Sequence, residues 1–323
     1  MVIGILGSGS WGSALSIHFG NNGFNVIQWC REKEVADSIN RERENRKYLS
    51  GVPYPESVRA VSDIEEFFAK VKDIVFSVIP AQFTGDFWKA NREYLVKRKV
   101  ICASKGIEIS SLKLLSQVYA EVVGGDYFVL SGPTFAREVA FGKPTAAVLA
   151  GKNIDKTFEV VNLLNTKLFR LYASDDLIGV ETGGAMKNVI AIAAGISDGM
   201  ELGNNARAAL ITRGLHEIKN LGVRLGGKEK TFYGLSGMGD LILTCTGNLS
   251  RNRQFGLTIG RGEGEVDKKY VVEGVHTVKA AVELSKRLNV EMPITRAVYA
   301  VLYEGKKPSE IMLDLLSRPV KEE

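Results

Sequence analysis

The chain has 323 residues, more than one hydrophobic core usually serves, so two domains are expected. With 45% hydrophobic and 24% charged residues, its composition is that of an ordinary soluble protein. A net charge of +5 suits small anionic ligands and is too weak to argue for nucleic acid; no apolar run reaches the roughly 18 residues of a membrane span.

The N-terminus, "MVIGILGSGS", enters a glycine turn without a basic segment or cleavage site, so no signal peptide is expected. Three scattered cysteines, Cys30, Cys102 and Cys245, fit a reducing compartment, and the expected location is the cytoplasm. The histidines form no HxxxH pair, and no metal site is expected. In chain order, "VIGILG", "NVIQWC", "DIVFSVI", "VICAS", "YFVLSG" and "TAAVLA" have the length and branched residues of buried strands. Amphipathic stretches such as "GSALSIHFGNNG" and "DIEEFFAKV" separate several of them, which predicts an α/β unit with a parallel sheet covered on both faces. The charge run "RERENRK" mixes both signs and reads as a solvated helix face.

Past about residue 175 the pattern turns helical, in "IGVETGGAMKNVIAIAAGISDGM", "ARAALITRGLHEIKNLGVRL", "HTVKAAVELSKRLN" and "ITRAVYAVLYEG". The polar "SDD" before the first of these suits a helix start, so the expected domains are residues 1–174 and 175–323. The terminal "RPVKEE" reads as a frayed tail.

Several groups of residues carry chemistry. Gly7, Gly9 and Gly12 form G-x-G-x-x-G between a strand and a helix. That pattern supplies a tight turn, close backbone approach to a pyrophosphate and close helix–strand packing. The following strand ends in Gln28, Trp29, Cys30 and Arg31, with no acidic residue to grip a ribose 2′-hydroxyl until Glu32. Arg31 suits the 2′-phosphate of NADP, so NADP is the expected preference and NAD the alternative.

Lys105 in "CASKG", and Gly132 and Thr134 in "SGPTFA", lie just past strand ends, where open α/β sheets bind ligands. Asp240 follows flexible glycines and precedes an apolar run, placing it to cap a helix or meet a cation. "SRNR" (Ser250, Arg251, Asn252, Arg253) gathers donors that suit a phosphate. Lys187 stands in the small, apolar "GGAMKNVIAIAAG". It can run its stem along an apolar face with its head in water, or act as a held cation that donates a proton.

Together "GSGSWG", "CASKG", "SGPTFAREVAFGKPTAA", "IGVETGGAMKNVIAIAAGISDG", "NARAALITRGL", "GDLILTCTGNLSRNR" and "VVEGV" resemble, in order and spacing, the bacterial NAD(P)-dependent glycerol-3-phosphate dehydrogenases. The resemblance spans essentially the whole chain. It implies a Rossmann-type doubly wound sheet followed by an all-helical C-terminal domain. The implied reaction is reversible reduction of dihydroxyacetone phosphate to sn-glycerol 3-phosphate, feeding phospholipid synthesis, in a homodimer. It implies Lys187 as the acid–base group with Asp240, Thr244 and Lys105 close by, and Lys105, Gly132, Thr134, Lys187, Asp240, Ser250, Arg251 and Asn252 around the substrate. Ser10, Trp11, Arg31, Tyr48, Lys105, Ala136, Arg251, Val271 and Glu273 would join Gly7, Gly9 and Gly12 at the cofactor.

Two other functions compete. A β-hydroxyacid dehydrogenase of the 6-phosphogluconate type resembles this layout but places an asparagine one helical turn after its lysine, where this chain has Ala191. A non-catalytic NADP-sensing module would keep the fold without needing Lys187, Asp240 and the phosphate cluster together.

Overall fold

The computed structural model describes residues 1–263 and 272–317. Val271 and the expected tail "RPVKEE" lie outside the described residues. Among the described residues ten strands form, β1 (Val2–Leu6), β2 (Asn25–Trp29), β3 (Glu44–Asn45), β4 (Leu49–Pro53), β5 (Val58–Val61), β6 (Ile74–Ser77), β7 (Lys99–Cys102), β8 (Tyr127–Ser131), β9 (Thr145–Gly151) and β10 (Phe169–Ser174). Eight make one sheet in the order β10-β9-β8-β7-β6-β1-β2-β5, and β3 pairs with β4 as a separate hairpin. The central strands β6 and β8 are buried throughout, because helices cover both faces of the sheet.

All neighbours run parallel except β8 and β9, which corrects the expectation of a wholly parallel sheet. The segment joining them contains only the five-residue helix Ala136–Ala140, too short to recross the sheet, so β9 returns antiparallel. The strands β5 and β10, absent from the sequence reading, are the two edges. Along β10 buried and exposed residues alternate (Phe169 in, Arg170 out, Leu171 in, Tyr172 out), so it lacks the continuous apolar run of a central strand.

"RERENRK" is not one helix face. The helix Lys33–Glu42 ends at Arg43, which is left-handed (φ 55°), and β3 begins at once. A tertiary demand overrides the helical pattern. Asn45 is fully buried and donates to the Ser8 carbonyl and to Ser13 Oγ, both at 2.8 Å, tying the hairpin to the glycine turn. Arg43 is spent on the carbonyls of Tyr54, Pro55 and Val58.

The helical half forms around Leu177–Gly199, a helix of 23 residues of which twenty are buried. Asp176 caps it, accepting from the Gly179 N–H at 2.9 Å, as the polar "SDD" led one to expect. Among the described residues this is the one helix long and apolar enough to cross a membrane, and 94% of that window is buried inside the fold. Its closest neighbour is Arg251–Gly260. A Cβ at Gly195 would land on the Arg253 carbonyl, and one at Gly256 on the Ile192 carbonyl, so the two backbones touch. Glu181, on the same helix, reaches back to the sheet half. Its carboxylate accepts from the Ser116 N–H (2.9 Å) and hydroxyl and from the Tyr127 hydroxyl (3.2 Å).

Candidate active site

The carboxyl ends of the parallel strands meet the middle of the helix Leu177–Gly199. Gly184 lets them approach, since a Cβ there would come 2.6 Å from Ser131 Oγ and 3.6 Å from the Lys105 stem, while Gly183 admits the turn Leu235–Gly239, a Cβ there lying 2.6 Å from the Ser236 carbonyl oxygen. Lys105, just past β7, therefore runs alongside the helix that carries Lys187.

Asp240 joins the two lysines. It opens the helix Asp240–Thr246 after a π-helical turn, Leu235–Gly239, and is fully buried. One oxygen accepts from Lys105 Nζ at 2.6 Å, the other from Lys187 Nζ. Lys187 Nζ also donates to Thr244 Oγ1 at 2.9 Å, and Lys105 Nζ to the Gly132 carbonyl at 3.1 Å. Thr134 donates to that same carbonyl at 3.2 Å. The structure thus brings Lys105, Gly132, Thr134, Lys187, Asp240 and Thr244 together. Lys187 is 7% exposed, so the snorkelling alternative fails: its ammonium ends in an ion pair, not in water.

Burial, opposed by Asp240 and helped by the Lys105 charge, lowers the Lys187 pKa to about 7. An ammonium with that balance can both give and take a proton near neutrality.

A second arm comes from the helix Arg251–Gly260. Ser250 caps it, accepting from the Arg253 N–H at 3.2 Å, and Arg251 stands at its first position. Asn252 Nδ2 donates to Asn188 Oδ1 at 3.0 Å and Asn252 Oδ1 accepts from the Gly274 N–H at 3.0 Å. Asn188, next to Lys187, had no role in the sequence reading; its one signal was that adjacency. Arg253 is a correction. It is buried and its guanidinium is committed to Asp198 (2.6 and 2.9 Å) and Asn248 (3.1 Å), so it does not serve an anion with the rest of "SRNR". A buried guanidinium needs a carboxylate partner, and Asp198 supplies it.

Part of the set read as cofactor contacts, Gly7, Gly9, Gly12, Ser10, Trp11 and Tyr48, lies at the glycine turn after β1 or is bonded to it. Gly7 has φ +121°, and a Cβ there would sit 2.8 Å from the Val78 carbonyl oxygen. A Cβ on Gly12 would collide with the Gly7 carbonyl. Gly9, at the N-cap of the helix Ser10–Asn21, has nothing within 4 Å of its Cβ position. That helix has no side-chain cap and no acidic residue in its first turn. Open space before bare helix N–H groups suits a pyrophosphate.

Ser10 Oγ donates to the Tyr48 carbonyl at 2.6 Å, and Trp11 Nε1 is buried without a partner. Ala136 opens the short helix after β8. Arg31 projects outward with a side chain 79% exposed. Glu273, at the start of the helix Glu273–Leu288, has Oε2 buried without a partner, as has Thr277 Oγ1 one turn on. Both would approach a Cβ on Gly106, at 3.6 and 3.8 Å, beside Lys105. Burial pushes Glu273 up to about 7. Unsatisfied buried polar groups at a strand-end site fit a polar ligand such as a dinucleotide. Among the described residues no group of three or more His, Cys, Asp and Glu is placed to hold a metal ion.

A glycine turn on a doubly wound sheet, facing a buried lysine–carboxylate pair, defines a nicotinamide-dependent dehydrogenase. The comparisons narrow the class. Residues 2–157 match the family described as NAD-dependent glycerol-3-phosphate dehydrogenase N-terminus, and residues 176–313 its C-terminus counterpart. The chain is 45% identical to the glycerol-3-phosphate dehydrogenase [NAD(P)+] of Carboxydothermus hydrogenoformans, over 99% of this chain and 97% of that one. A crystal structure of the Coxiella burnetii glycerol-3-phosphate dehydrogenase superposes with a TM-score of 0.92 at 39% identity, covering 98% and 99% of the two chains. The Saccharomyces cerevisiae glycerol-3-phosphate dehydrogenase follows at 0.82 and 26%, with the same coverage.

The chain belongs to the NAD(P)-dependent glycerol-3-phosphate dehydrogenase family. It is an oxidoreductase that uses NAD or NADP. Ala191, one turn past Lys187, is fully buried in the helical core. The competing hydroxyacid-dehydrogenase reading therefore has no polar group at the position it requires.

Proposed function

We propose that the enzyme reversibly reduces dihydroxyacetone phosphate to sn-glycerol 3-phosphate with NADPH in preference to NADH, and so supplies glycerophospholipid synthesis. The observation that carries this reading is the buried Lys187–Asp240–Lys105 chain at the carboxyl end of the sheet. Gly7, Gly9, Gly12, Ser10, Trp11, Tyr48, Ala136 and Glu273 would hold the dinucleotide, with Arg31 toward its 2′-phosphate. Bound nicotinamide supplies the hydride that reaches the carbonyl carbon.

Lys187 gives its proton to the carbonyl oxygen as charge develops there and takes it back in the oxidation direction. Asp240 fixes the ammonium in place and Thr244 accepts from it, which leaves one of its three protons to point at substrate. Lys105 likewise spends two protons on Asp240 and Gly132, and its charge adds to the stabilisation of a developing alkoxide. Arg251 and the N-terminus of its helix, beside Ser250 and Asn252, are suited to the phosphate group.

The division at residues 174 and 175 separates a dinucleotide half from a substrate half, and is supported by β10 ending at Ser174 before the Lys187 helix starts at Leu177. A homodimer in the cytoplasm completes the reading; three buried free thiols are in keeping with a reducing compartment. Lys187→Ala tests it. With dinucleotide binding retained, kcat for dihydroxyacetone phosphate should fall by about 10²–10⁴-fold. A near-normal kcat would refute the assignment.

A further inference from the structure

The end of β2 holds more than Arg31. Glu32 is the N-cap residue of the helix Lys33–Glu42, yet its side chain makes no capping bond. It turns instead toward the β3–β4 hairpin, where Oε2 accepts from Lys47 Nζ at 2.5 Å and Oε1 from the Tyr48 hydroxyl at 2.9 Å. Arg31 Nη2 stands 3.8 Å from the same carboxylate. Both oxygens that could accept from ribose hydroxyls are therefore already engaged.

The hairpin is fixed in the frame of the glycine turn. Ser10 Oγ holds the Tyr48 carbonyl, and Asn45 holds the Ser8 carbonyl and accepts from the Tyr48 N–H at 3.1 Å. Lys47 thus has its root beside the pyrophosphate turn and its head beside Arg31. Neighbouring cations are committed elsewhere: Lys33 to Asp37, Arg43 to backbone carbonyls, and Arg46 to Glu42 and Glu44. Arg31 and Lys47 alone among these converge on Glu32, and both side chains are more than half exposed, at 79% and 53%. Long, exposed side chains exchange partners at little cost.

Resting on the assignment of the glycine turn to a dinucleotide, we propose that Lys47 is the second cation for the 2′-phosphate of NADP, paired with Arg31, and that Glu32 stores both cations until that phosphate arrives. Arg31, Lys47 and Glu32 sum to one positive charge, which a phosphate of up to two negative charges complements better than a neutral hydroxyl. The guanidinium offers a planar fork from the end of β2 and the ammonium a point charge from the β3–β4 hairpin.

The test is calorimetric binding of NADP+, NAD+, 2′-phospho-AMP and AMP to the full chain and to Lys47→Met, Arg31→Ala and Glu32→Gln. Methionine keeps an unbranched stem of similar length and removes the ammonium, which stands 5.2 Å from the centre of the Tyr48 ring. Lys47→Met should lower the NADP+ to NAD+ affinity ratio by about 10-fold, with the same fall for 2′-phospho-AMP against AMP. Glu32→Gln should raise that ratio, since it frees both cations. An unchanged ratio in Lys47→Met, or a Glu32→Gln that weakens NAD+ selectively, would overturn the proposal, the latter by showing that Glu32 serves the ribose. Failure of the underlying assignment would look different: the unaltered chain would bind neither dinucleotide.

Discussion

Asp240→Asn separates the roles of the two lysines. The carboxylate is fully buried between Lys105, at 2.6 Å, and Lys187. Asparagine keeps the shape, removes the charge, and points a donor at one of two ammonium groups. Stripping one partner from a buried ion pair costs about 3–5 kcal/mol if the orphaned charge stays. Lys187 has an escape, because its pKa already lies at about 7 and it can shed the proton. The loss should therefore appear as a change in protonation.

Burial and Lys105 depress that pKa, and Asp240 is the group opposing them. Without it the value should drop by about one to three units, each worth about 1.4 kcal/mol. On the proposed mechanism reduction needs the protonated lysine, so its rate is held below the pKa and lost as pH rises through it. Oxidation needs the neutral amine and is lost as pH falls through the same value. In the variant both limbs should move to lower pH. Slightly above neutrality the reduction rate should fall by about 10–10³-fold, following the protonated fraction. The assay is kcat in both directions from about pH 5 to about 10. A reduction limb left at the wild-type pH, or moved upward, would refute the electrostatic account of the site.

Two further outcomes follow from the helical half. Arg251→Ala should raise KM for dihydroxyacetone phosphate and shrink its preference over unphosphorylated dihydroxyacetone by about 10-fold or more, as expected for one charge-assisted bond; an unchanged preference would move the phosphate elsewhere. Gly195→Ala forces a methyl group onto the Arg253 carbonyl and should cost about 1–3 kcal/mol in denaturant unfolding, whereas Gly9→Ala, built into open space, should stay near wild type. Equal losses in the two variants would show that their packing does not differ as described.

Much of the site was legible because backbone geometry restricts residue choice. Gly7 and Gly12 could be read as a nucleotide turn since no larger residue fits their conformation or their contacts. Lys105 and Lys187 were visible as isolated cations, but only the family resemblance set Asp240 beside them. Asp240 is 135 residues from one and 53 from the other, and no local pattern joins them. Arg253 misled for the converse reason: a run of donors in sequence looks like one site, while successive helical residues point different ways, here into Asp198. Of the edge strands, β10 escaped because buried and exposed residues alternate along it, and β5 because it is four residues long and broken by the exposed Arg59. The β3–β4 hairpin escaped because buried hydrogen bonds from Asn45, not hydrophobic periodicity, hold it. With the hairpin went Lys47.

The touching backbones of Leu177–Gly199 and Arg251–Gly260 act as a calliper locked at one opening. On the proposed roles, Lys187 stands on one jaw and Arg251 on the other, and no side chains lie between Gly195, Gly256 and the facing carbonyls to compress or swell. The span from proton donor to phosphate anchor is then a fixed length, measured out in backbone atoms. A substrate whose carbonyl and phosphate are spaced to match meets both ends at once. A longer or shorter sugar phosphate must give up one of them. Size selection in this enzyme would thus reside in four glycines, Gly195, Gly199, Gly256 and Gly260, each set against a backbone carbonyl of the facing helix.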